Sequence, residues 1–486
     1  MNIIEVRNLS KGFRAGLFRK QAVLKNIDLT VRQGDFVVLR GANGAGKSTL
    51  LKIILGLQDP DSGSVQLCGT SPHLPESKLQ VGTVFQEVTP PNSLKVKELI
   101  ELVRSYYPNA LSTQEVLATV GLSDKRDAYP SDLAGGQKQR LYFAIALVGN
   151  PKLLILDEPT KNLDVEGQTA FWDQVEACKH KGVTILMVTH IQSEQDKLKD
   201  LATHIITLAD GKLNFDKQPP KTVRPLQDMQ SSTKPEQQPA FSGQSASPLR
   251  MLTQQTWAEI LQLFRTPTYL AGVFLFSGLV AFMPLNNTDT LTKGLTFFSA
   301  ISLLIFSVER PGKRIAIERV EGWLKLLRVT PLKPSIYLAA KLLMTMLVLI
   351  ASLSTIFAIG IFKFGLEQSL GEWTSLSLGL LIGIIPFAVI GIALGYVIPP
   401  KALDSIAGIL IPFGIFSCGI IPIEKPIYLK DLIVISPFFH YREIIETAAG
   451  LADHPHLLLN ILWLTLYTVV AGLVAKIAYQ RDNVMN

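Results

Sequence analysis

The chain of 486 residues and 53.4 kDa has room for two or three domains, which excludes a single small binding module. Its charge is uneven: from Thr256 onward there are 17 basic and 14 acidic residues in 231, about 13%, against 30 and 26 in the preceding 255, about 22%, a drop that points to a change of solvent. The net charge of +7 divides as +4 and +3 between these parts, so neither is basic enough to argue for a nucleic-acid partner, and none is expected.

Met1 to Ser10 alternates like a strand and carries no basic n-region ahead of an apolar h-region. No cleavable signal peptide is expected, and the first domain is expected in the cytoplasm. Cys68 and Cys178 lie in the charged part and Cys418 in an apolar run, without CxxC or His-rich spacing. They read as free thiols in a reducing compartment, not zinc ligands.

Residues 1–215 alternate strands and helices. Phe36 to Leu39 is an apolar run entering a Gly-rich turn, Lys47 to Leu57 is helical, and Lys152 to Leu156 and Val183 to Val188 suit buried strands of a parallel sheet. The class is α/β. Residues 216–248, rich in Pro, Gln, Ser and Lys, bury too little apolar surface to offset their ordering entropy and read as a flexible linker.

The remainder, 249–486, reads as an all-α membrane domain. Leu249 to Arg265 has the pattern of an amphipathic helix at the membrane interface, with Leu249, Leu252, Ile260, Leu261 and Phe264 toward one side and Arg250, Gln254, Gln255 and Glu259 elsewhere. Six apolar stretches follow: Tyr269 to Leu285, Leu291 to Val308, Leu338 to Phe362, Thr374 to Ile398, Ala402 to Ile421 and Leu457 to Ala478. Most approach the roughly 20 residues needed to cross the hydrocarbon. Five crossings plus a re-entrant segment is the competing arrangement. The loop with Arg310, Lys313, Arg314, Arg319, Lys325, Arg328 and Lys333 is expected inside, since the first and third loops offer only Lys293 and Lys363. The last outer loop, Pro422 to His456, contains apolar pieces that either dip into the outer leaflet or form an ordinary folded loop.

Gly41-Ala42-Asn43-Gly44-Ala45-Gly46-Lys47-Ser48 matches GxxxxGK[ST] between a strand and a helix. Its glycines let backbone N–H groups curl round phosphates, Lys47 adds a point charge, and the Ser48 hydroxyl suits Mg²⁺, with Thr49 next in the helix. Leu153 to Leu156 is an apolar strand ending in Asp157 and Glu158. Asp157 would hold Mg²⁺, leaving Glu158 to orient or deprotonate the attacking water. Together these indicate a nucleotide hydrolase that uses Mg²⁺.

Leu133-Ala134-Gly135-Gly136-Gln137-Lys138-Gln139-Arg140 resembles the LSGGQ signature of ABC transporter ATPases. The resemblance assigns Gln86 to the Q-loop and the metal, Asp164 in Asn162-Leu163-Asp164 to the D-loop, His190 to the switch histidine and Phe13 to the adenine stack. It puts Gly41, Asn43, Gly44, Gly46, Lys47, Ser48, Thr49, Ala134, Gly135, Gly136 and Gln137 on nucleotide, and makes Glu158 and His190 catalytic. Ala134 stands where the family usually has Ser, so one hydroxyl toward the partner's γ-phosphate is missing and weakened activity is expected. Ile317-Glu318-Arg319-Val320-Glu321-Gly322-Trp323-Leu324 through Leu332, with Lys341 and Ser436-Pro437-Phe438-Phe439-His440-Tyr441, resembles the type-2 ABC exporter permeases.

In that family two ATPase domains sandwich two nucleotides, so a chain with one P-loop and one signature is expected to be a half-transporter that pairs. A homodimer is the simplest closed arrangement, with a heterodimer of related chains the alternative. The resemblance implies ATP-driven export of a hydrophobic or amphipathic small molecule, lipid or peptide across the cytoplasmic membrane, where the bilayer itself is a partner. The alternative is a mechanical or sensing device acting on a partner. A soluble ATPase regulator shares the ATPase motifs but not the six apolar stretches.

Overall fold

The computed structural model describes residues 1–14, 20–86, 88–161, 163–189, 195–215, 246–282, 288–417, 434–452 and 456–485. The chain divides into two compact units, Met1–Gln254 with Lys325–Ile336, and Gln255–Leu324 with Tyr337–Asn486.

The first unit opens with two long strands, β1 (Asn2–Arg14) and β2 (Lys20–Arg32), followed by β3 (Phe36–Arg40), α1 (Lys47–Ile54), β4 (Ser62–Leu67) and β5 (Val81–Val84). Then come α2 (Val96–Arg104), α3 (Thr113–Thr119), α4 (Gly135–Leu147), β6 (Leu153–Asp157), α5 (Val165–His180), β7 (Thr184–Val188), α6 (Gln195–Leu201), β8 (His204–Ala209) and β9 (Lys212–Phe215). One sheet has the order β2-β1-β4 and is antiparallel. The other has the order β5-β6-β7-β3-β8-β9, parallel except for β9. The continuous apolar runs of β3, β6 and β7 follow from this position, because a central parallel strand is covered on both faces. α4 lies so close to β5 that a Cβ at Gly82 would sit 2.2 Å from the Ala146 carbonyl oxygen.

The helices of the membrane part are α7 (Pro248–Phe264), α8 (Pro267–Gly278), α9 (Thr288–Val320), α10 (Trp323–Arg328), α11 (Pro334–Phe362), α12 (Leu370–Gly383), α13 (Ile385–Val397), α14 (Pro400–Ser417), α15 (Pro437–Ala448) and α16 (Leu457–Met485). Among the described residues, Leu291–Val320, Pro334–Phe362, Leu370–Val397 and Leu457–Tyr479 are long and apolar enough to cross a membrane. The pair α7 and α8, bent by 78° before Pro267, has the length and composition of either a broken span or a re-entrant segment. The expected stretch Ala402 to Ile421 begins within α14, and its last residues, 418–421, lie outside the described residues, as does Cys418.

One expectation changes, and two regions gain detail. The basic segment Arg310 to Arg319, expected in a cytoplasmic loop, is a continuation of α9 through Pro311, and the short helix α10 follows it. Gly322, at φ +74°, makes the break, a conformation that costs glycine little. α15 places a helix, N-capped by Ser436, in the expected outer loop. α7 turns Gln255, Glu259 and Gln262 inward while Leu249, Trp257 and Phe264 are exposed, the arrangement of a helix whose apolar face meets lipid.

The tightest contact in the second unit joins α9 to α13. A Cβ at Gly391 would lie 2.4 Å from the Val308 carbonyl oxygen, and one at Gly395 would lie 2.5 Å from that of Gly312. Small residues let the two backbones touch, the usual basis of helix association in lipid. Arg319 then donates to the carbonyls of Tyr396 and Ile398 at the end of α13, where helix carbonyls lack intrahelical partners.

Candidate functional site

Parallel α/β sheets present their sites beyond the carboxyl ends of the strands. Three expected segments leave the sheet there: Gly41 to Ser48 after β3, Gln86 after β5, and Asp157 with Glu158 at the end of β6. β7, paired with both β3 and β6, separates the loop from the acids by one strand. His190, just beyond β7, lies outside the described residues, as does Asn162.

The loop is shaped by glycine. Gly44 and Gly46 adopt φ +81° and +102°, and a side chain at Gly46 would strike Val23 of β2 at 2.7 Å. α1 begins at Lys47 with no side-chain cap, leaving its first amides for an anion. The Lys47 ammonium is buried and folds back over the loop, donating to the carbonyls of Gly41 at 2.8 Å and Ala42 at 3.0 Å. Asn43, Gly44 and Ser48 are exposed, and Thr49 is half-buried. This donor set fits a nucleotide phosphate chain. Phe13, half-buried on β1 opposite Gln21, stands on the strand pair that flanks the loop through Val23.

Asp157 is 7% exposed, and burial pushes its carboxyl above the usual range. Lys325 counters this, Glu158 adds to it, and Lys47 and Lys52 oppose it. A buried carboxylate facing several cations at the strand end, in the same parallel sheet that carries the Ser48 loop, fits a magnesium–phosphate site. Glu158 follows in the left-handed region at φ +47°, its amide bonded to the Val188 carbonyl at 2.9 Å and its carboxylate 3.7 Å from Lys161.

The signature residues stand apart from this loop on their own helix. Ala134 is the N-cap of α4, and Gln137 Oε1 accepts from its amide at 3.1 Å. Ala134 and Gly135 are exposed, and a Cβ at Gly136 would meet nothing closer than 4.0 Å, so this helix start is open to a second body. Asp164 plays a structural part, N-capping α5 by accepting from the Gly167 amide at 2.9 Å.

Two lysines have contacts that the sequence alone did not assign. Lys325, on α10, sits 4.1 Å above the Phe85 ring, next to Gln86. Lys78, before β5, donates to the Arg328 carbonyl at 2.6 Å. The available signal was only the basic character of the segment. Burial, with the Arg328 charge second, lowers Lys78 to about 8 from an ordinary lysine near 10.5. Between these values the unfolded state binds more protons, so the packed segment gains stability as pH rises through that window and carries its full penalty below it. The melting point of the wild type is therefore expected to rise relative to Lys78→Met between pH 7.5 and 9.5, and a gap independent of pH would refute the burial argument. Cys68 and Cys178 are free, and burial raises both thiols to about 11.

The family model of the ABC transporter matches residues 24–161, and that of the ABC-2 family transporter protein matches residues 245–476. An uncharacterized ABC transporter ATP-binding protein of Methanocaldococcus jannaschii is 36% identical over 225 residues, covering 43% of this chain and 97% of its own length. The Nod factor export ATP-binding protein I of Cupriavidus metallidurans is 35% identical over 205 residues, 40% of this chain and 65% of that protein. The methionine import ATP-binding protein MetN of Nocardia farcinica is 37% identical over 226 residues, 43% of this chain and 65% of that protein. Export and import thus both occur among proteins resembling the first unit. With a phosphate-shaped loop, a buried acid at the end of β6 and a matching membrane region in one polypeptide, the chain belongs to the ABC transporters, as an ATPase cassette fused to an ABC-2 membrane domain.

Proposed function

We propose that this chain pairs with a second copy and uses ATP to export a hydrophobic or amphipathic substrate, a drug, lipid or peptide, across the cytoplasmic membrane. The carrying observation is that Lys325–Ile336, drawn from within the ABC-2 region, packs in the same unit as the cassette, with Lys325 on Phe85 and Lys78 on Arg328. The domain division is an ATPase of residues 1–215, a linker of 216–248 and a membrane domain of 249–486.

Phe13 stacks on adenine, and Lys47 with the amides of Gly44 to Lys47 holds the β- and γ-phosphates. Ser48, Asp157 and Gln86 hold Mg²⁺, which when bound neutralises phosphate charge. Glu158 orients and deprotonates the attacking water, and His190 contacts the γ-phosphate. Gly135 and Gly136 of the second copy complete the site with backbone N–H groups. Asp164, by capping α5, fixes the loop leading from Glu158. Closure moves the Phe85–Gln86 turn, and α10 passes that displacement to α9 and α11.

Ala134 lacks the hydroxyl that would add one charge-assisted hydrogen bond. Ala134→Ser is therefore expected to raise kcat/KM for ATP by about fivefold or more. Steady-state kinetics check this, and an unchanged value would assign the contact to the backbone alone.

The test of export is ATP hydrolysis in lipid nanodiscs, screened against lipids, antibiotics and peptides, followed by uptake into inside-out vesicles. Stimulation by one compound class and ATP-dependent accumulation of that class, both lost in Glu158→Gln, is the expected result. Hydrolysis that no solute alters, without accumulation, would overturn export.

A further inference from the structure

The inward-facing polar residues of α7 meet a buried set of charges. Lys341, on α11 and 3% exposed, donates its ammonium to Glu259 Oε1 of α7 at 2.5 Å and to Glu318 Oε1 of α9 at 2.6 Å. Glu318 accepts the Tyr337 hydroxyl on Oε2 at 2.5 Å, and Arg314 Nε lies 3.1 Å from its Oε1. Glu259 and Glu318 are 3% and 2% exposed. Two carboxylates and two cations from three helices thus meet, with Glu259, Glu318 and Lys341 withdrawn from solvent and Arg314 half-buried at their edge.

Such a set is an inefficient way to gain stability. Charges are expensive to desolvate, and well-packed apolar residues of the same volume often serve the fold as well. What the ion cluster adds is registration. One ammonium can satisfy both carboxylates only while α7, the end of α9 and the start of α11 keep their mutual places. Glu318 also stands just before Gly322 and α10, at the end of α9 nearest the segment that packs with the ATPase.

We propose that Lys341, Glu259 and Glu318 are positioning residues that lock α7 to the adjoining ends of α9 and α11, so that the three move as one body during the ATP-driven stroke. This makes α7 a moving part and not a passive anchor. The inference rests on the reading that ATP-driven displacement arrives through α10.

The test uses full-length protein in nanodiscs, with spin-label pairs drawn from Trp257 on α7, Val320 on α9 and Ala339 on α11, all exposed. Pulsed dipolar distances are measured without nucleotide and with ATP trapped in a Glu158→Gln background. In the otherwise unchanged protein all three distances are expected to be narrow and to agree within about 2 Å between the two states, as for a rigid body. Lys341→Met is expected to broaden both distances that involve Trp257, Lys341→Arg to restore them, and Glu259→Gln to broaden the same two in a milder form should Lys341→Met fail to fold. The KM for ATP is expected to stay within about twofold in each, since none of these residues touches nucleotide. ATP-dependent change in the Trp257 distances without these substitutions, or distributions in Lys341→Met and Glu259→Gln as narrow as the parent's, would overturn the lock. Vesicles that export nothing, with all three distances fixed in the parent and the two Trp257 distances broadened in the variants, would support the lock and overturn the transport reading.

Discussion

Glu158→Gln is expected to lower single-turnover ATP hydrolysis by about 10²–10⁴-fold, the usual contribution of a positioned general base, while nucleotide affinity stays within about threefold. The geometry underlies this separation. The residue stands at the end of a buried strand, outside the loop that holds Lys47, and its carboxylate lies 3.7 Å from the Lys161 ammonium. Glutamine has nearly the same shape and keeps the Val188 backbone bond but cannot take a proton. Quenched-flow hydrolysis and fluorescent-nucleotide titration on one preparation give both numbers. A loss below tenfold would move water activation to another group.

Gly391→Leu is expected to disrupt the second unit more than any single loss of a side-chain contact. Because the Cβ alone would lie 2.4 Å from the Val308 carbonyl oxygen and 2.9 Å from its Cα, no rotamer relieves the clash and α9 must part from α13. Overpacking in a settled core costs about 1–3 kcal/mol or more, which for a unit of this size lowers the melting point by roughly 2–12 °C. Gly408→Ala on α14, where a Cβ meets nothing within 4 Å, is the matched control and should be neutral or slightly stabilising. Thermal unfolding in detergent distinguishes the two. Equal melting points would mean that the helices are free to separate there.

The phosphate loop and the acidic strand end were legible because each is local: glycine spacing fixes the backbone of one turn, and an apolar run ending in carboxylates fixes one strand edge. The N-terminal antiparallel sheet was visible only in its first residues, since pairing of β1 with β4 depends on residues about 60 positions apart. Hydropathy ended the second span at Val308, yet α9 runs to Val320 because Arg314 and Arg319 find carboxylate and carbonyl partners inside the second unit. A pattern of side chains cannot show that a charge is paired. For the same reason Glu259 read as the polar side of an interfacial helix, although Lys341, 82 residues later, turns it inward. Lys325 read as one topological charge among several, and only the folded chain places it against Phe85.

The left-handed backbone at Glu158 sets stability against turnover. A non-glycine residue there carries a penalty of about 1–2 kcal/mol, which Asn or Gly would largely relieve. Thermostability screens run without an activity readout would therefore enrich Asn or Gly at this position and deliver a sturdier protein that binds ATP without consuming it. The strain is then a record of selection for work, held at the one residue where relaxing the fold and stopping the machine are the same substitution.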